Sequence, residues 1–210
     1  FLMDVRVFPL GPLQTNCFLL SNQGEAVAVD PGGDPAVLVD FLEAENLKLT
    51  HILNTHFHFD HIYGNAALAK ATDAPILASP DGAPVLATET GAGGFMGFPR
   101  VEDFDYDPIE PGKTEFVGLE CRVLATPGHA PGSLSFYFPA AGAVFSGDLI
   151  FQRSIGRTDF YGGDMNLLLA SVRNEIFTLP EETIIYPGHG DATTVAEEKQ
   201  HNPYFTDFIR

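Results

Sequence analysis

Thr55-His56-Phe57-His58-Phe59-Asp60-His61 is the stretch on which the reading of this chain turns. It follows Leu49–Asn54, an apolar run that reads as a buried strand, so it stands at a strand's carboxyl end. In an extended segment alternate side chains share a side, which sets the imidazoles of His56 and His58 together. Phe57 and Phe59 then point the other way, into apolar packing. A helix starting near Asp60 turns Asp60 and His61 toward a second point beside the first. Neutral imidazole and carboxylate are ligands that divalent transition metals take, so the spacing points to two neighbouring ions.

Three later segments extend the set. Thr126-Pro127-Gly128-His129 and Tyr186-Pro187-Gly188-His189 each follow a strand-like run, and glycine lets the backbone turn sharply and come close to a ligand. Phe145-Ser146-Gly147-Asp148 ends another such run. Five histidines and two aspartates thus stand at the ends of four strands, where open sheets gather their sites. His51 lies inside a strand without that turn chemistry and reads as an ordinary histidine, as does His201. Cys17 and Cys121 lie in apolar patterns and read as buried structural thiols.

The rest of the first half alternates strand and helix. Val5–Phe8, Asn16–Ser21 and Ala26–Asp30 read as strands, the last closed by Pro31-Gly32-Gly33. Asp34 reads as an N-cap with Pro35 at the first helical position, and Val37, Leu38, Phe41 and Leu42 give an amphipathic helix to about Asn46. Ile62–Ala71 reads as helix and Ile76–Ser79 as a short strand. Glycine-rich Gly91–Gly97 and acidic Glu102–Asp107 read as a long surface loop near a site. Strands resume at Glu120–Ala125, Ser133–Phe138 and Ala143–Ser146. A helix capped by Asp164 follows, with Leu168, Val172 and Ile176 on one face, then strand Thr183–Tyr186 and helix Thr194–His201. Each half runs strands, helix, strand, as a duplicated sheet-plus-helix unit would, without a repeat at the residue level.

Composition bounds what this site can serve. The 210 residues are 45% apolar and 19% charged, which fits a folded chain rather than a disordered one. A formal charge of −17 argues against nucleic acid and against an anionic membrane surface as partners. No apolar stretch has the roughly 18 residues that a membrane span requires, and no signal sequence opens the chain. Met3, after Phe1-Leu2, is the expected natural start, and two cysteines point to a reducing cytoplasm. Oligomeric state is not legible.

The Thr-His-x-His-x-Asp-His segment, with His129, Asp148 and His189, resembles the metallo-β-lactamase superfamily over essentially the whole chain. Gly147–Phe151, Gly156-Arg157-Thr158-Asp159-Phe160, Pro187–Gly190, Thr193-Thr194 and His201-Asn202-Pro203 are similar to its short bacterial glyoxalase II branch, the hydroxyacylglutathione hydrolases. The resemblance implies an α/β fold, a four-layer αββα sandwich with a metal site at the edge of its sheets. It implies one domain over 1–210, without the helical C-terminal domain that carries further glutathione contacts in longer members. By it, one metal takes His56, His58 and His129, the other takes Asp60, His61 and His189, and Asp148 bridges them. Zinc is the favoured ion, with iron and manganese also suited to such ligands.

Two ions about 3.5–4 Å apart acidify a shared water and steady the charge of an acyl-transfer transition state. Asp60 and Asp148 would carry that chemistry as ligands. A thioester suits it, because a thiol of pKa about 8.5 leaves without a general acid. The expected reaction is hydrolysis of S-(2-hydroxyacyl)glutathione or a related acyl thiol. The resemblance gives Arg157 to the substrate's carboxylate. Asp159 and Asp191 depart from the aromatic and the tyrosine of longer members, which leaves the thiol open. The rival is a persulfide dioxygenase of the same superfamily, with one iron on His56, His129 and Asp148. A non-catalytic metal-binding module would be expected to lack ligands, and all seven are present. Asp148, in place of a cysteine, argues against several β-lactamase types, and the charge argues against nucleases.

Overall fold

Along the first strands, side chains alternate between two faces, and both faces are buried. Phe18, Leu20, Val27, Val29 and Leu53 share one apolar cluster, while Cys17, Leu19, Ala26, Ala28 and Ile52 share another. A strand buried on both sides belongs to a sheet covered on both sides, which is the layered arrangement that the computed structural model has. It describes residues 4–206, so Met3 lies outside the described residues.

Among the described residues there are two six-stranded sheets. The first contains β1 (Asp4–Leu10), β2 (Thr15–Asn22), β3 (Glu25–Val29), β4 (Lys48–Leu53), β5 (Ile76–Ala78) and β6 (Asp107–Pro108), in that order. Its β1–β3 pairings are antiparallel, and those from β3 to β6 are parallel. The second sheet takes β7 (Gly112–Phe116), β8 (Leu119–Ala125), β9 (Leu134–Phe138) and β10 (Ala143–Gly147) as an antiparallel meander. After the ribbon β11 (Ile150–Phe151) and β12 (Ser154–Ile155), β13 (Ile184–Pro187) joins β10 in parallel and β14 (Thr193–Thr194) closes the edge.

Helices cover the outer faces. Leu38 and Leu42 of α1 (Ala36–Ala44) and Leu68 of α3 (Asn65–Thr72) pack on the first sheet. Leu168 of α5 (Met165–Ser171), Val172, Ile176, and Val195 of α6 (Val195–His201) pack on the second. Between the sheets, Phe18, Phe136, Phe138 and Phe145 form the thickest part of the core. The αββα expectation holds, and each half has its own helical crossover between parallel strands.

Local chemistry departs from expectation in four places. The helix over Ile62–Ala71 is two helices, α2 (Phe59–Ile62) and α3, because the Gly64 amide donates to the Pro31 carbonyl (2.7 Å). Asp34 caps by accepting the Ala36 amide (3.0 Å), with Pro35 just before the helix. Polar β7 carries no apolar alternation except at Phe116, as an edge strand can, and so escapes pattern reading. Pro80–Ala87 forms a 3₁₀ helix and Glu89–Ala92 a short α4. Among the described residues no helix is long and apolar enough to cross a membrane.

One buried carboxylate ties the end of the chain to the ribbon. Glu198, fully buried on α6, accepts from Thr193 Oγ1 (2.6 Å), Asn202 Nδ2 (2.8 Å), the Arg153 amide (2.9 Å) and Arg153 Nη1 (3.1 Å). Asn202 Nδ2 also donates to the Ser154 carbonyl (2.9 Å). Removing such a group leaves several buried donors unpaired. Glu198→Ala is expected to lower unfolding free energy by about 3 kcal/mol, read from urea titrations, with the midpoint falling and the slope unchanged.

Candidate metal centre

Every predicted ligand stands at the carboxyl end of a strand. His56, His58, Asp60 and His61 follow β4, His129 follows β8, Asp148 follows β10 and His189 follows β13. His58 is the last extended residue (φ −71°, ψ 142°) before α2, so the chain turns there and sends Asp60 and His61 aside. Phe57 points into apolar packing, as expected, against Phe104 and Tyr106. Phe59 is buried in aromatic packing too, against Phe95 and Phe98, but on the ligands' side at a cavity wall, because it opens α2 and the helix ends the strand alternation.

The side chains gather in two trios. His58 Nδ1 lies 3.1 Å from His56 Nε2 and 2.9 Å from His129 Nε2. Ligand atoms of a tetrahedral ion with 2.0–2.1 Å bonds stand about 3.3 Å apart, so this trio has the right size. In the second trio, Asp60 Oδ2 lies 3.2 Å from His189 Nε2 and 3.6 Å from His61 Nε2. Asp148 stands between them, with Oδ1 3.3 Å from His61 Nε2 and Oδ2 3.7 Å from His129 Nε2 and 3.5 Å from His189 Nε2. His61 Nε2 and Asp148 Oδ1 are buried and have no hydrogen-bond partner. Orphaned donors of the right chemistry at ligand spacing fit a pair of metal ions.

Neighbouring groups fix which nitrogen each ring presents. His61 Nδ1 donates to Asp30 Oδ2 (2.8 Å), which leaves Nε2 for the site. Thr55 Oγ1 donates to the same oxygen (2.5 Å) and so accepts from His56 Nδ1 (3.0 Å). His129 Nδ1 donates to the Arg157 carbonyl (2.7 Å). Thr15 Oγ1 donates to Asp60 Oδ2 (2.8 Å). Such outer contacts set tautomer and ring direction. Asp30, buried at 2% exposure, clusters with His56 and His61, but its oxygens are already taken by Thr55 and His61, so it orients rather than ligates. Sequence reading missed Asp30, Thr15 and Thr55. The signal available was a carboxylate at the end of β3, immediately before Pro31-Gly32-Gly33.

The two Pro-Gly-His segments owe their glycines to close approach. A methyl group on Gly188 would collide with the Asp148 carboxylate and the His61 ring, and one on Gly128 (φ 129°) with the backbone of Leu168. His51 stays apart, edge-on to Phe116 (5.1 Å), and His201 is exposed on α6. Cys17 and Cys121 are free and buried.

Above the trios lies a cavity of about 370 Å³, walled by Leu13, Phe59, Phe95, Met96, Phe98 and Phe160, with Arg157 beside it. The glycine-rich loop supplies Phe95, Met96 and Phe98, in keeping with its expected place near a site. Arg157 Nε and Nη2 each donate to Asp159 (2.7 Å), and the guanidinium lies 3.7 Å over the Phe160 ring. A larger groove of about 600 Å³, at Val39, Leu42 and Lys48, holds none of the predicted ligands.

Burial keeps the first trio neutral: it lowers the basicity of His56 and His129 and, with His129 adjacent, brings His58 to about 3. Against the opposite push of burial, His61 and His189 hold Asp60 ionised down to about 2, and His61 likewise holds Asp148 low. Burial also disfavours a charge on His61, yet Asp148, Asp60 and Asp30 keep its proton well above the usual range. Asp60 and Asp148 raise His189 in the same way. An ion entering the second trio must therefore displace protons that the first trio does not hold. Metal titration by calorimetry in buffers of different ionisation enthalpy is expected to show proton release for one of two equivalents. As pH falls below neutrality that equivalent should be lost first, while Gly188→Ala should lose it at every pH.

The sequence matches the family model described as the metallo-beta-lactamase superfamily over residues 10–189. A probable metallo-hydrolase, YqgX of Bacillus subtilis, is 34% identical over 98% of this chain and 99% of its own. The hydroxyacylglutathione hydrolase GloC of Haemophilus influenzae is 33% identical over 96% and 98%. Among solved structures, the B3 metallo-beta-lactamase BLEG-1 superposes with a TM-score of 0.89 at 40% identity, over 97% of this chain and all of that one. TTHA1623 in a di-iron-bound form gives 0.86 at 36%, over 95% and 99%. ETHE1 of Myxococcus xanthus gives 0.78 at 32%, over 96% and 84%. With its fold, the histidines and aspartates at its strand ends and these relatives in agreement, the chain belongs to the metallo-beta-lactamase superfamily.

Proposed function

We propose that the chain is a metal-dependent hydrolase of acyl thioesters, acting on S-(2-hydroxyacyl)glutathione or a related small acyl thiol. The observation that carries this reading is the pair of trios joined across Asp148 on the floor of an apolar cavity. His56, His58 and His129 would hold one ion, Asp60, His61 and His189 the other, with Asp148 shared. When bound, such a pair supplies a water acidified from 15.7 toward about 7 and positive charge for the developing oxyanion. The donor set suits zinc, iron or manganese, and a di-iron form of a 36% identical protein makes iron a concrete candidate.

The chain's own groups arrange the rest. Asp30 and the Arg157 carbonyl hold His61 and His129 in the tautomers that keep Nε2 free. The aromatic walls exclude bulk water and take the apolar part of the substrate. Water adds to the thioester carbonyl and the carbon–sulfur bond breaks, giving a carboxylic acid and a thiol. A thiolate leaves unaided, whereas an amine needs a proton, and besides the proposed ligands only Thr90 and Arg157 line the described cavity as polar side chains. Thioester cleavage is thus favoured over the amide cleavage implied by the name of the BLEG-1 relative. The 33% likeness to GloC supports a hydroxyacyl thioester. Two buried free thiols suit a reducing, cytoplasmic setting.

A second reading, a persulfide dioxygenase with one iron on His56, His129 and Asp148, is favoured by the 32% likeness to ETHE1. Elemental analysis with a thioester assay under nitrogen separates the two. Two metals per chain and full cleavage without oxygen are expected. One iron with oxygen uptake on a persulfide would overturn the hydrolase. His58→Ala is expected to lose metal and to lower kcat/KM by at least about a thousandfold, while His51→Ala keeps both.

A further inference from the structure

We infer that Asp159 is a specificity-determining residue, which occupies the carboxylate-binding edge of Arg157 so that the thiol half of the substrate is held by apolar contact. This rests on the thioester-hydrolase reading and defines which thiols its substrates can carry. The chain takes acyl thioesters with little regard to whether the thiol carries a carboxylate.

Arg157 is the only arginine or lysine among the described residues that line the cavity. One edge of its guanidinium is filled by both Asp159 oxygens, at 2.7 Å each. That planar fork is the geometry an incoming carboxylate would need. One face of the same group rests on Phe160, whose ring stands edge-on to His58 (5.8 Å). The Arg157 main chain is anchored as well, its carbonyl accepting from His129 Nδ1. An anionic thiol must therefore displace Asp159 or turn to the remaining Nη1–Nη2 edge, where the Asp159 charge already offsets that of the guanidinium, within a molecule of net charge −17. Other lining residues offer apolar surface instead: Met96 is 88% exposed and Leu13 43%. Exposed apolar side chains at the mouth of a cavity suit an uncharged ligand chain.

The test uses zinc-loaded protein and S-methylglutathione, a thioether with two carboxylates that cannot be hydrolysed. Calorimetry is expected to give a Kd about tenfold lower for Asp159→Ala than for wild type, one freed charge-assisted contact. The gain should vanish in Arg157→Ala/Asp159→Ala. In parallel, one acyl group is presented on glutathione and on uncharged N-acetylcysteamine. Wild type is expected to cleave the two with kcat/KM within about tenfold of each other, and Asp159→Ala to raise the glutathione preference about tenfold through KM. Unchanged or weaker S-methylglutathione binding in Asp159→Ala would overturn the inference, as would a gain that survives loss of Arg157. If wild type cleaves neither thioester while the affinity gain appears, the hydrolase reading fails and the role of Asp159 stands.

Discussion

An imidazole has one lone pair to give, and which nitrogen gives it depends on what holds the other. In this chain that control comes from outside the cluster, from Asp30 beneath His61, Thr55 beside His56 and the Arg157 carbonyl behind His129. Each takes the proton-bearing nitrogen and leaves its opposite aimed inward. Asp30 does this from a left-handed backbone position (φ 52°), which aspartate tolerates, at the end of a central strand. It holds Thr55 through both the amide (2.8 Å) and the hydroxyl, so one carboxylate positions the turn and two of its histidines. Without that frame the same rings would satisfy one another and offer no common focus.

The frame is stiff because the sheets are. The two trios draw on strands from both halves, and Phe18, Phe136, Phe138 and Phe145 pack between the sheets at interior density. Separations near 3 Å between groups more than a hundred residues apart persist only if that packing does not yield. The second sheet is further steadied from the chain's end, where Glu198 and Asn202 grip the ribbon that leads into Gly156 and Arg157. This gives Thr193, Asn202 and Arg153 a shared structural task that leads through the ribbon toward His129.

The sequence showed where donors would gather better than it showed what would hold them. Alternation around His56 and His58, and repeated Pro-Gly-His turns, are local patterns, so strand ends and ligand types could be read directly. Asp30 and Thr15 escaped because their meaning lies in partners 31 and 45 residues away. Gly64 split a helix for a similar reason: its amide answers Pro31, which no helical period records. Phe59 was misplaced because strand alternation was carried one residue past the point where the helix begins. Polar β7 shows the converse, a strand held by its neighbour's backbone rather than by its own pattern.

On the proposed function, electrostatics explains how so acidic a molecule could favour a developing oxyanion. Most of the charge is on exposed side chains, where water and salt screen it within about 8–10 Å. The charges at the centre are buried and screened far less. There the first trio is neutral and only Asp60 and Asp148 bring negative charge to the floor of the cavity. Two divalent ions held there against these two carboxylates would leave a positive excess at the point where an oxyanion would form. Arg157 would not be needed for that purpose, and with Asp159 holding two of its donors and offsetting its charge it adds little net charge to the cavity. On that reading, charge selection in this site would act on the reacting carbonyl, while the aromatic walls, indifferent to charge, would take the remainder of the substrate.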